Sequence, residues 1–182
     1  SRLDMPLPGR PSSTHSSPVG FYRRLLQPLM FRLDPERAHH LALGLLQQLG
    51  QMPSLLRLWQ HWQPLEHAAL QMQVAGLHFP NPVGLAAGFD KNATAIAAFQ
   101  ALGFGFVEVG TVTPLPQVGN PSPRLFRVPS DEAVINRMGF NNDGASVVAR
   151  RLRHLPDRTP IGVNLGKNAE TPLEKALDDY CS

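Results

Sequence analysis

The sequence predicts an α/β protein built on a parallel β-sheet. Three short runs between residues 83 and 165 are apolar almost throughout, and helix-forming segments separate them. Strands of this kind are typical of parallel sheets that helices cover on both faces. Each run also ends in glycine and polar residues, as strands that border a ligand site do. A doubly wound sheet and a (β/α)8 barrel both fit, because three strands do not distinguish them.

The N-terminal region comes before this alternation. Residues 1–20 are rich in Ser and Pro and poor in apolar side chains, so we expect a disordered lead-in. Phe21–Phe31 has apolar residues at helical spacing, although Pro28 limits its regularity. Asp34 can cap a second helix, Pro35–Gly50, whose leucines repeat with helical period. The two segments predict an amphipathic helical hairpin.

Two interpretations of this hairpin are open. It can be a packed appendage, or it can be an anchor in a membrane interface, since arginines flank a wide leucine face. Composition alone favours the packed appendage. A further short helix is predicted at Ser54–Trp62, where Trp59 and Trp62 suit a boundary between apolar and aqueous surroundings.

Strands and helices alternate in the remainder of the chain. Met72–Phe79 predicts a small β-hairpin that turns at Gly76. The elements predicted next are strand Val83–Ala87, helix Ala93–Leu102, strand Phe104–Val109, a long loop, a helix near 142–155 and strand Ile161–Leu165. In the last helix Thr171 can be the N-cap, and Glu174 can complete a capping box.

Charge restricts the partners of the chain. Residues 1–64 carry seven arginines against three acidic residues, whereas the whole chain has a net charge of +3. These arginines lie among leucines and not in a basic block with aromatics, so a membrane surface is a better partner than nucleic acid. No apolar run reaches the roughly 20 residues of a membrane-spanning helix. We therefore expect a chain that is soluble or lies on a membrane.

Metal, disulfide and dinucleotide sites are not supported. Cys181 is the single cysteine, which excludes an internal disulfide, and the histidines lack metal-ligand spacing. The glycines from Gly103 to Gly110 flank a strand and do not open a helix, so they are not a dinucleotide fingerprint.

The three strand ends supply the candidate binding residues: Gly88-Phe89-Asp90-Lys91, Gly110-Thr111 and Asn164 with Gly166-Lys167-Asn168. We expect them to face one site, because the carboxyl ends of parallel strands meet at one edge. Lys91 can balance an anionic substrate or a reduced cofactor, or can form a surface salt bridge with Asp90. Thr111 and Asn164 can hydrogen-bond a flat heterocycle or a phosphate, or can serve local turns.

A further loop is rich in amides. Asn136-Arg137-Met138-Gly139-Phe140-Asn141-Asn142 is too apolar for a linker. Amide groups suit the imide and carboxylate edges of a small planar acid, whose polar atoms would be costly to bury without partners.

These motifs together resemble one protein family. Asn81-Pro82-Val83-Gly84-Leu85-Ala86-Ala87-Gly88-Phe89-Asp90-Lys91-Asn92 looks like the flavin and substrate segment of dihydroorotate dehydrogenases. The family's other motifs follow in order: Gly110-Thr111-Val112-Thr113-Pro114, Pro116-Gln117 with Gly119-Asn120-Pro121, Pro123-Arg124-Leu125-Phe126-Arg127, the Asn136 loop and Gly162-Val163-Asn164-Leu165-Gly166-Lys167-Asn168. The likeness extends from about Phe21 to the last residue.

The resemblance implies a (β/α)8 barrel that holds FMN, with residues 65–182 as its N-terminal part. Residues 21–64 would be the helical extension of the membrane-associated class, since Asp34-Pro35-Glu36-Arg37-Ala38-His39 is similar to a motif of that extension. This reverses the preference for a packed appendage. In the family, the extension lies on the membrane and forms a tunnel through which a quinone reaches the flavin. His39 and Arg127 would line that tunnel.

The resemblance also implies roles for single residues. FMN would contact Ala87, Gly88, Phe89, Asp90, Lys91, Thr111 and Asn164. Orotate would be held by Lys91, Asn136, Arg137, Met138, Gly139 and Phe140. In the implied reaction, a side-chain base removes the C5 proton of dihydroorotate while hydride passes from C6 to flavin N5, and ubiquinone or menaquinone takes the electrons. The reaction belongs to pyrimidine synthesis and needs neither metal nor nicotinamide.

The family's serine base and its phosphate-binding groups would fall beyond Ser182. We therefore expect no catalytic base within this chain, and we expect the chain alone to be inactive. The expected setting is a monomer on the cytoplasmic face of the bacterial cell membrane, with the mitochondrial inner membrane as the alternative. Two other functions stay open: a soluble dihydroorotate dehydrogenase that uses fumarate or NAD, and a non-catalytic membrane-binding remnant.

Overall fold

The computed structural model describes residues 20, 22–62, 67–153, 155 and 159–182. The predicted lead-in therefore lies outside the described residues, except for Gly20. Phe21 also lies outside them. The chain divides into two compact units after Asp34. The second unit contains all the strands described below and every described helix that follows Asp34.

The α-helices of the described chain are α1 Gln27–Phe31, α2 Pro35–Gly50, α3 Pro53–Trp62, α4 Ile96–Ala101, α5 Ala145–Leu152 and α6 Ala176–Cys181. The bounds of α2 are as predicted, and α3 begins one residue before the predicted helix. A π-helical turn, Tyr22–Leu26, precedes α1. Pro28 explains this irregularity, because it has no N–H to donate within a continuous α-helix. The predicted pairing of α1 with α2 in a hairpin stays a prediction.

The β-strands are β1 Met72–Val74, β2 Leu77–Phe79, β3 Gly84–Leu85, β4 Phe106–Val112, β5 Leu125–Val128, β6 Ala133–Asn136 and β7 Ile161–Leu165. The strands β3, β4 and β7 form a parallel sheet in that order, with Leu85 opposite Val107 and Val107 opposite Ile161. This confirms a mixed α/β fold with a parallel sheet. The small hairpin β1–β2 is also confirmed, with Met72 opposite Phe79.

The core lies between β4 and α4. Val107, Val109 and Ile96 are almost completely buried there, and Phe99 packs with them. Burial of each such side chain contributes about 1.5–3 kcal/mol. Leucines of α2 pack against this cluster from outside, so α2 is fixed on the sheet domain through α4. The core therefore holds β4, whose end carries Thr111, in a fixed position relative to α2.

The loop predicted after the second strand is wrong in part, because β5 and β6 form an antiparallel hairpin within it. Leu125 lies opposite Asn136 and Phe126 opposite Ile135. The flanking prolines hid the alternation of apolar and polar residues in these short strands. Because β6 ends at Asn136, the hairpin places this residue on the side of the sheet where the ends of the parallel strands lie.

Two predicted helix starts are also wrong. Ala93 has a left-handed backbone (φ 57°), so α4 begins only at Ile96. The capping box of Thr171 and Glu174 is not formed, because Pro172 has an extended backbone and a short 3-10 turn, Leu173–Lys175, leads into α6. The carbonyl oxygen of Thr171 accepts a hydrogen bond from Lys167 instead, at 2.8 Å.

Candidate active site

The ends of β4 and β7 meet through side chains. The hydroxyl of Thr111 donates a hydrogen bond to the side-chain oxygen of Asn164 at 2.6 Å. The strands approach closely at this point because residue 110 is glycine: a Cβ atom there would lie 2.5 Å from the carbonyl oxygen of Asn164. Two of the predicted binding residues are thus held against each other at one edge of the sheet.

A cavity of about 510 Å³ opens beside this pair. Its lining consists of His39, Ala87, Gly88, Phe89, Lys91, Thr111, Leu125, Asn136, Met138, Gly139, Phe140 and Asn164. The three strand ends, the amide-rich loop and one helix of the N-terminal region therefore contribute to a single site. Three residues of the predicted set, Asp90, Arg127 and Arg137, do not belong to the lining.

Lys91 is partly buried, and its amine points at the amide-rich loop. The Nζ atom donates a hydrogen bond to Oδ1 of Asn141 at 2.8 Å and lies 3.3 Å from the sulfur of Met138. Burial lowers the pKa of the Lys91 amine, repulsion by Arg124 lowers it further, and Glu36 opposes the shift. The structure therefore places a cation at the cavity wall, where its charge is only partly solvated.

Asp90 has a different role from its neighbour. Its carboxylate is fully buried and accepts hydrogen bonds from the backbone N–H of Thr94 at 2.9 Å and of Ala95 at 2.8 Å. The hydroxyl of Thr94 donates a third, at 3.1 Å. Thr94 and Ala95 immediately precede α4, so these bonds fix the turn that leads into this helix. The side chain is thus used for the fold, and contact between Asp90 and FMN stays a prediction.

Asn142 was not among the predicted binding residues, yet it fixes the amide-rich loop. It is buried, donates to the hydroxyl of Thr113 at 2.8 Å and to the carbonyl of Phe140 at 2.7 Å, and accepts from the N–H groups of Thr113 and Gly144. Gly139 and Phe140 both have left-handed backbones, so the loop turns sharply before this anchor. The two adjacent asparagines in the motif were the sequence signal for this arrangement.

Asn168 ties two strand-end loops together. Its side chain accepts a hydrogen bond from the N–H of Leu115 at 3.0 Å and donates one to the carbonyl of the same residue at 2.9 Å. It also donates to the side chain of Gln117, whose backbone pairs with Asn142. The loops after β4 and β7 are therefore joined to the amide-rich loop.

The two arginines outside the lining lie on the β5–β6 hairpin and next to it. Arg127 shares one face of β5 with Leu125, which lines the cavity, because side chains two residues apart point to the same side of a strand. The guanidinium of Arg137 lies 5.9 Å from the centre of the Phe126 ring and donates to the carbonyl of Pro123 at 3.0 Å. The predicted contacts with quinone and orotate stay predictions for these two residues.

His39 brings α2 to the cavity. Its ring packs edge to face against Phe89, with the ring centres 4.7 Å apart. Burial lowers the pKa of His39, and the neighbouring His40 and Lys91 lower it further, against the opposing effect of Glu36 and Asp90. The pKa of His39 therefore lies below the ordinary value of 6.5, and the ring is harder to protonate than that of a free histidine.

A larger cleft of about 1320 Å³ lies next to the cavity. Its walls include Gln117, Arg124, Asn141 and Asn168, and it shares Gly139 with the smaller cavity. The side chains that sequence analysis assigned to cofactor and substrate line the smaller cavity almost without exception. We therefore take the smaller cavity as the candidate active site.

The described residues lack two further kinds of feature. None of the helices in this part of the chain is long and apolar enough to cross a membrane. No cluster of three or more His, Cys, Asp or Glu side chains that could hold a metal ion occurs among the same residues.

Comparison with known proteins gives the family. The sequence profile described as "Dihydroorotate dehydrogenase" matches residues 69–182, which include every strand-end motif of the cavity. The chain belongs to the dihydroorotate dehydrogenase family.

Several relatives share more than half of their aligned residues with this member of the dihydroorotate dehydrogenase family. The dihydroorotate dehydrogenase (quinone) of Acidithiobacillus ferrooxidans is 59% identical over 157 residues, which are 86% of this chain and 43% of the relative. That of Thermus thermophilus is 56% identical over 154 residues, 83% of this chain and 44% of the relative. This chain thus spans less than half the length of these curated relatives.

Solved structures of dihydroorotate dehydrogenase from Eimeria tenella have a similar fold. The complex with ferulenol has a TM-score of 0.65 at 40% identity and covers 89% of this chain and 41% of that one. The ligand-free structure has a TM-score of 0.66 at 43% identity, with 80% and 40% covered. The described fold therefore corresponds to part of a dihydroorotate dehydrogenase.

The residues of the cavity fit the ring of the flavin that dihydroorotate dehydrogenases use. A Cβ atom added to Gly88 would meet no atom within 4 Å, so the backbone there borders open space that a flat ring can occupy. The hydroxyl of Thr111, the amide of Asn164 and the amine of Lys91 offer donors and an acceptor around that space. This donor set suits the polar edge of a heterocycle.

Proposed function

We propose that the full-length protein oxidises dihydroorotate to orotate with FMN as cofactor and a quinone as electron acceptor, as a step of pyrimidine synthesis. One observation carries the proposal. The cavity gathers the end residues of three parallel strands and the amide-rich loop around one space. The names of the relatives, dihydroorotate dehydrogenase (quinone), support the same assignment.

The strand ends would hold the cofactor. Backbone groups of Ala87 and Gly88 would lie along the flavin ring, while Thr111, Asn164 and Lys91 would bind its polar edge. FMN, when bound, supplies reversible two-electron transfer, which joins oxidation of the substrate to reduction of the quinone. Because Asn164 already accepts a hydrogen bond from Thr111, its amide N–H group is oriented before any ligand arrives.

The amide-rich loop would hold the substrate. Dihydroorotate has a carboxylate and an imide, which need a cation and several hydrogen-bonding groups. The Lys91 amine supplies the cation, and Asn136 supplies an amide at the end of β6. Met138 and Phe140 add apolar surface to the cavity lining, which would strengthen these polar contacts once a ligand displaces water.

The part of the lining that α2 supplies would face the quinone. His39 and Phe89 form an edge-to-face pair at this wall, and Arg127 lies on the strand face that includes Leu125. His39 resists protonation, so it would present a neutral ring to the acceptor at neutral pH. Roles for His39 and Arg127 at the quinone are supported by these positions and by the resemblance.

A membrane location and a barrel fold complete the proposal. Leu41 and Leu45 of α2 and Leu55, Leu58 and Trp59 of α3 are exposed, which supports docking of these helices on a membrane surface. The cytoplasmic face of a bacterial cell membrane is the proposed surface, since the curated relatives described above are bacterial. The parallel order of β3, β4 and β7 is consistent with the first strands of a (β/α)8 barrel, and we propose a monomer.

The test uses the full-length gene product, purified in detergent. We expect it to bind FMN in a one-to-one ratio and to reduce decylubiquinone in the presence of dihydroorotate. Fumarate and NAD serve as alternative acceptors in parallel assays. Fast reduction of either in place of the quinone would favour the soluble class, and absence of both flavin and turnover would contradict the proposal.

A further inference from the structure

We propose that Asn141 is a positioning residue that holds the Lys91 ammonium group at the cavity wall without neutralising its charge. The proposal rests on the proposed function, because it concerns how the same cavity binds an anionic substrate. Asn141 acts through Lys91 and is assigned no contact with the substrate itself.

The first support is the contact between the two side chains. The Nζ atom of Lys91 donates to Oδ1 of Asn141 at 2.8 Å, across 50 residues of sequence. Among the described residues, the amine also contacts the sulfur of Met138, a weak acceptor, at 3.3 Å. Lysine has a long flexible stem, so a strong acceptor at its tip is needed to keep the amine in one place. Asn141 supplies that acceptor.

The second support is the rigidity of the Asn141 backbone. Asn142, the next residue, is buried and uses both ends of its amide in hydrogen bonds to Thr113, Phe140 and Gly144. Its backbone N–H and carbonyl both pair with Gln117, at 3.0 Å each. On the other side, Phe140 is held in a left-handed conformation. The Asn141 side chain therefore leaves the loop at a fixed point and in a fixed direction.

The third support is the chemistry of an amide in this place. A carboxylate would bind the ammonium group more strongly, but it would cancel the charge that an anionic substrate needs and would repel the substrate. An amide oxygen accepts the hydrogen bond and leaves the full positive charge in place. Lysine has three N–H donors, so donors remain for ligands after one is used by Asn141.

The test compares Asn141→Asp with Asn141→Leu in the full-length holoenzyme. Asn141→Asp keeps the acceptor and adds a negative charge, so KM for dihydroorotate and Kd for orotate should rise by about tenfold or more while kcat changes less. Asn141→Leu removes the acceptor, so kcat of flavin reduction should fall by about tenfold. Both variants should keep FMN content and Tm. Gln73→Glu is the matched control, because Gln73 is exposed on β1 and lines neither cavity.

A second readout does not depend on turnover. Competitive labelling with an amine-reactive reagent, followed by mass spectrometry over a pH series, measures protonation of Lys91 in the protein without substrate. Asn141→Asp should move the labelling midpoint of Lys91 to higher pH, since a neighbouring carboxylate favours the ammonium form. Gln73→Glu should leave that midpoint in place.

The outcomes separate this inference from the proposed function. If the unaltered enzyme turns over dihydroorotate but both Asn141 variants keep KM, kcat and orotate Kd within twofold of it, or if both variants lose FMN and Tm alike, Asn141 has no positioning role. If the unaltered enzyme shows no turnover, the proposed function fails. An unchanged labelling midpoint in Asn141→Asp would contradict the contact with Lys91 in either case.

Discussion

The guanidinium of Arg124 donates two hydrogen bonds to one carboxylate oxygen of Glu36, from Nη2 at 2.6 Å and from Nε at 2.9 Å. Both side chains are largely buried. Glu36 lies in the first turn of α2, and Arg124 immediately precedes β5. The remaining guanidinium nitrogen, Nη1, donates to the carbonyl oxygens of Val118 and Asn120. The pair therefore fixes the helix that carries His39 to the strand that carries Arg127.

This ion pair predicts a pH dependence of stability. The hydrogen bond from Arg124 holds the pKa of Glu36 below its ordinary value of 4.5. A carboxyl group with a lowered folded pKa stabilises the fold above the unfolded pKa and loses that contribution as the pH falls through the folded pKa. The free energy of unfolding should therefore decline below pH 4.5, in urea titrations over a pH series.

Removal of one partner tests the same pair at neutral pH. Arg124→Gln should lower the free energy of unfolding by about 1–3 kcal/mol, because it leaves a partly buried carboxylate without its charged donor. The variant should also lose most of the acid-dependent component. Independent substitutions usually add to within about 0.3 kcal/mol. A change in the free energy of unfolding smaller than about 0.3 kcal/mol would therefore show that the pair has no such role. Arg153→Gln, after the end of α5, is the control.

The turn that leads into α4 gives a second prediction. Asp90→Ala removes the acceptor of three hydrogen bonds from Thr94 and Ala95 in this turn, so the free energy of unfolding should fall by about 2 kcal/mol. Asp131→Ala, at an exposed position in the turn before β6, should change it very little. Thermal unfolding followed by circular dichroism compares the two variants. Equal stabilities would contradict the structural role of Asp90 in this turn.

Space around the strand ends gives a third prediction. A Cβ atom at Gly166 would lie 2.6 Å from the methyl group of Thr111, so Gly166→Ala should displace Thr111 and break its hydrogen bond to Asn164. We expect FMN affinity, measured by fluorescence titration, to fall by about tenfold. Gly44→Ala in α2 meets no atom within 4 Å and should instead stabilise the helix by about 0.5–1 kcal/mol. Unchanged FMN affinity in Gly166→Ala would contradict the role of Thr111.

The exposed helix faces give a fourth prediction. Leu58 is 56% exposed and Trp59 43% exposed on α3, and replacement of either by Ser should weaken binding to vesicles of phosphatidylethanolamine and phosphatidylglycerol by about tenfold. Leu173→Ser, at an 80% exposed leucine outside these helices, is the control. Sedimentation with vesicles measures the effect. Equal losses for all three variants would show that α3 is not the membrane-binding face.

Periodicity and turn chemistry were enough to predict the helices α2 and α3 and the three parallel strands. Their signals are local: leucines repeat along α2, and apolar runs mark β4 and β7. The β5–β6 hairpin was missed because its strands have four residues each and lie among prolines. The start of α4 was placed too early because the left-handed backbone of Ala93 has no signature in the residue type.

The site was predicted from motifs, and geometry then distinguished neighbouring residues. Lys91 and Asp90 are adjacent in sequence, yet one lines the cavity and the other fixes the turn before α4. This difference depends on where Thr94 and Ala95 lie in space, which a motif does not state. Asn141 and Asn142 likewise divide their roles, because only the former points to Lys91.

The hydrogen bonds between Asn168 and Leu115 join residues 53 positions apart, and the single bond from Thr111 to Asn164 spans the same interval. Closing loops of this length costs conformational entropy before the contacts form, so such contacts arise late in folding. During synthesis at about 5–20 residues per second, Thr111 leaves the ribosome roughly 3–11 s before residue 168, and the amide-rich loop roughly 1–6 s before it. Among the described parts of the cavity, the wall that β7 supplies is therefore the last to assemble, and a cofactor present at that time meets an incomplete wall until β7 has joined the sheet.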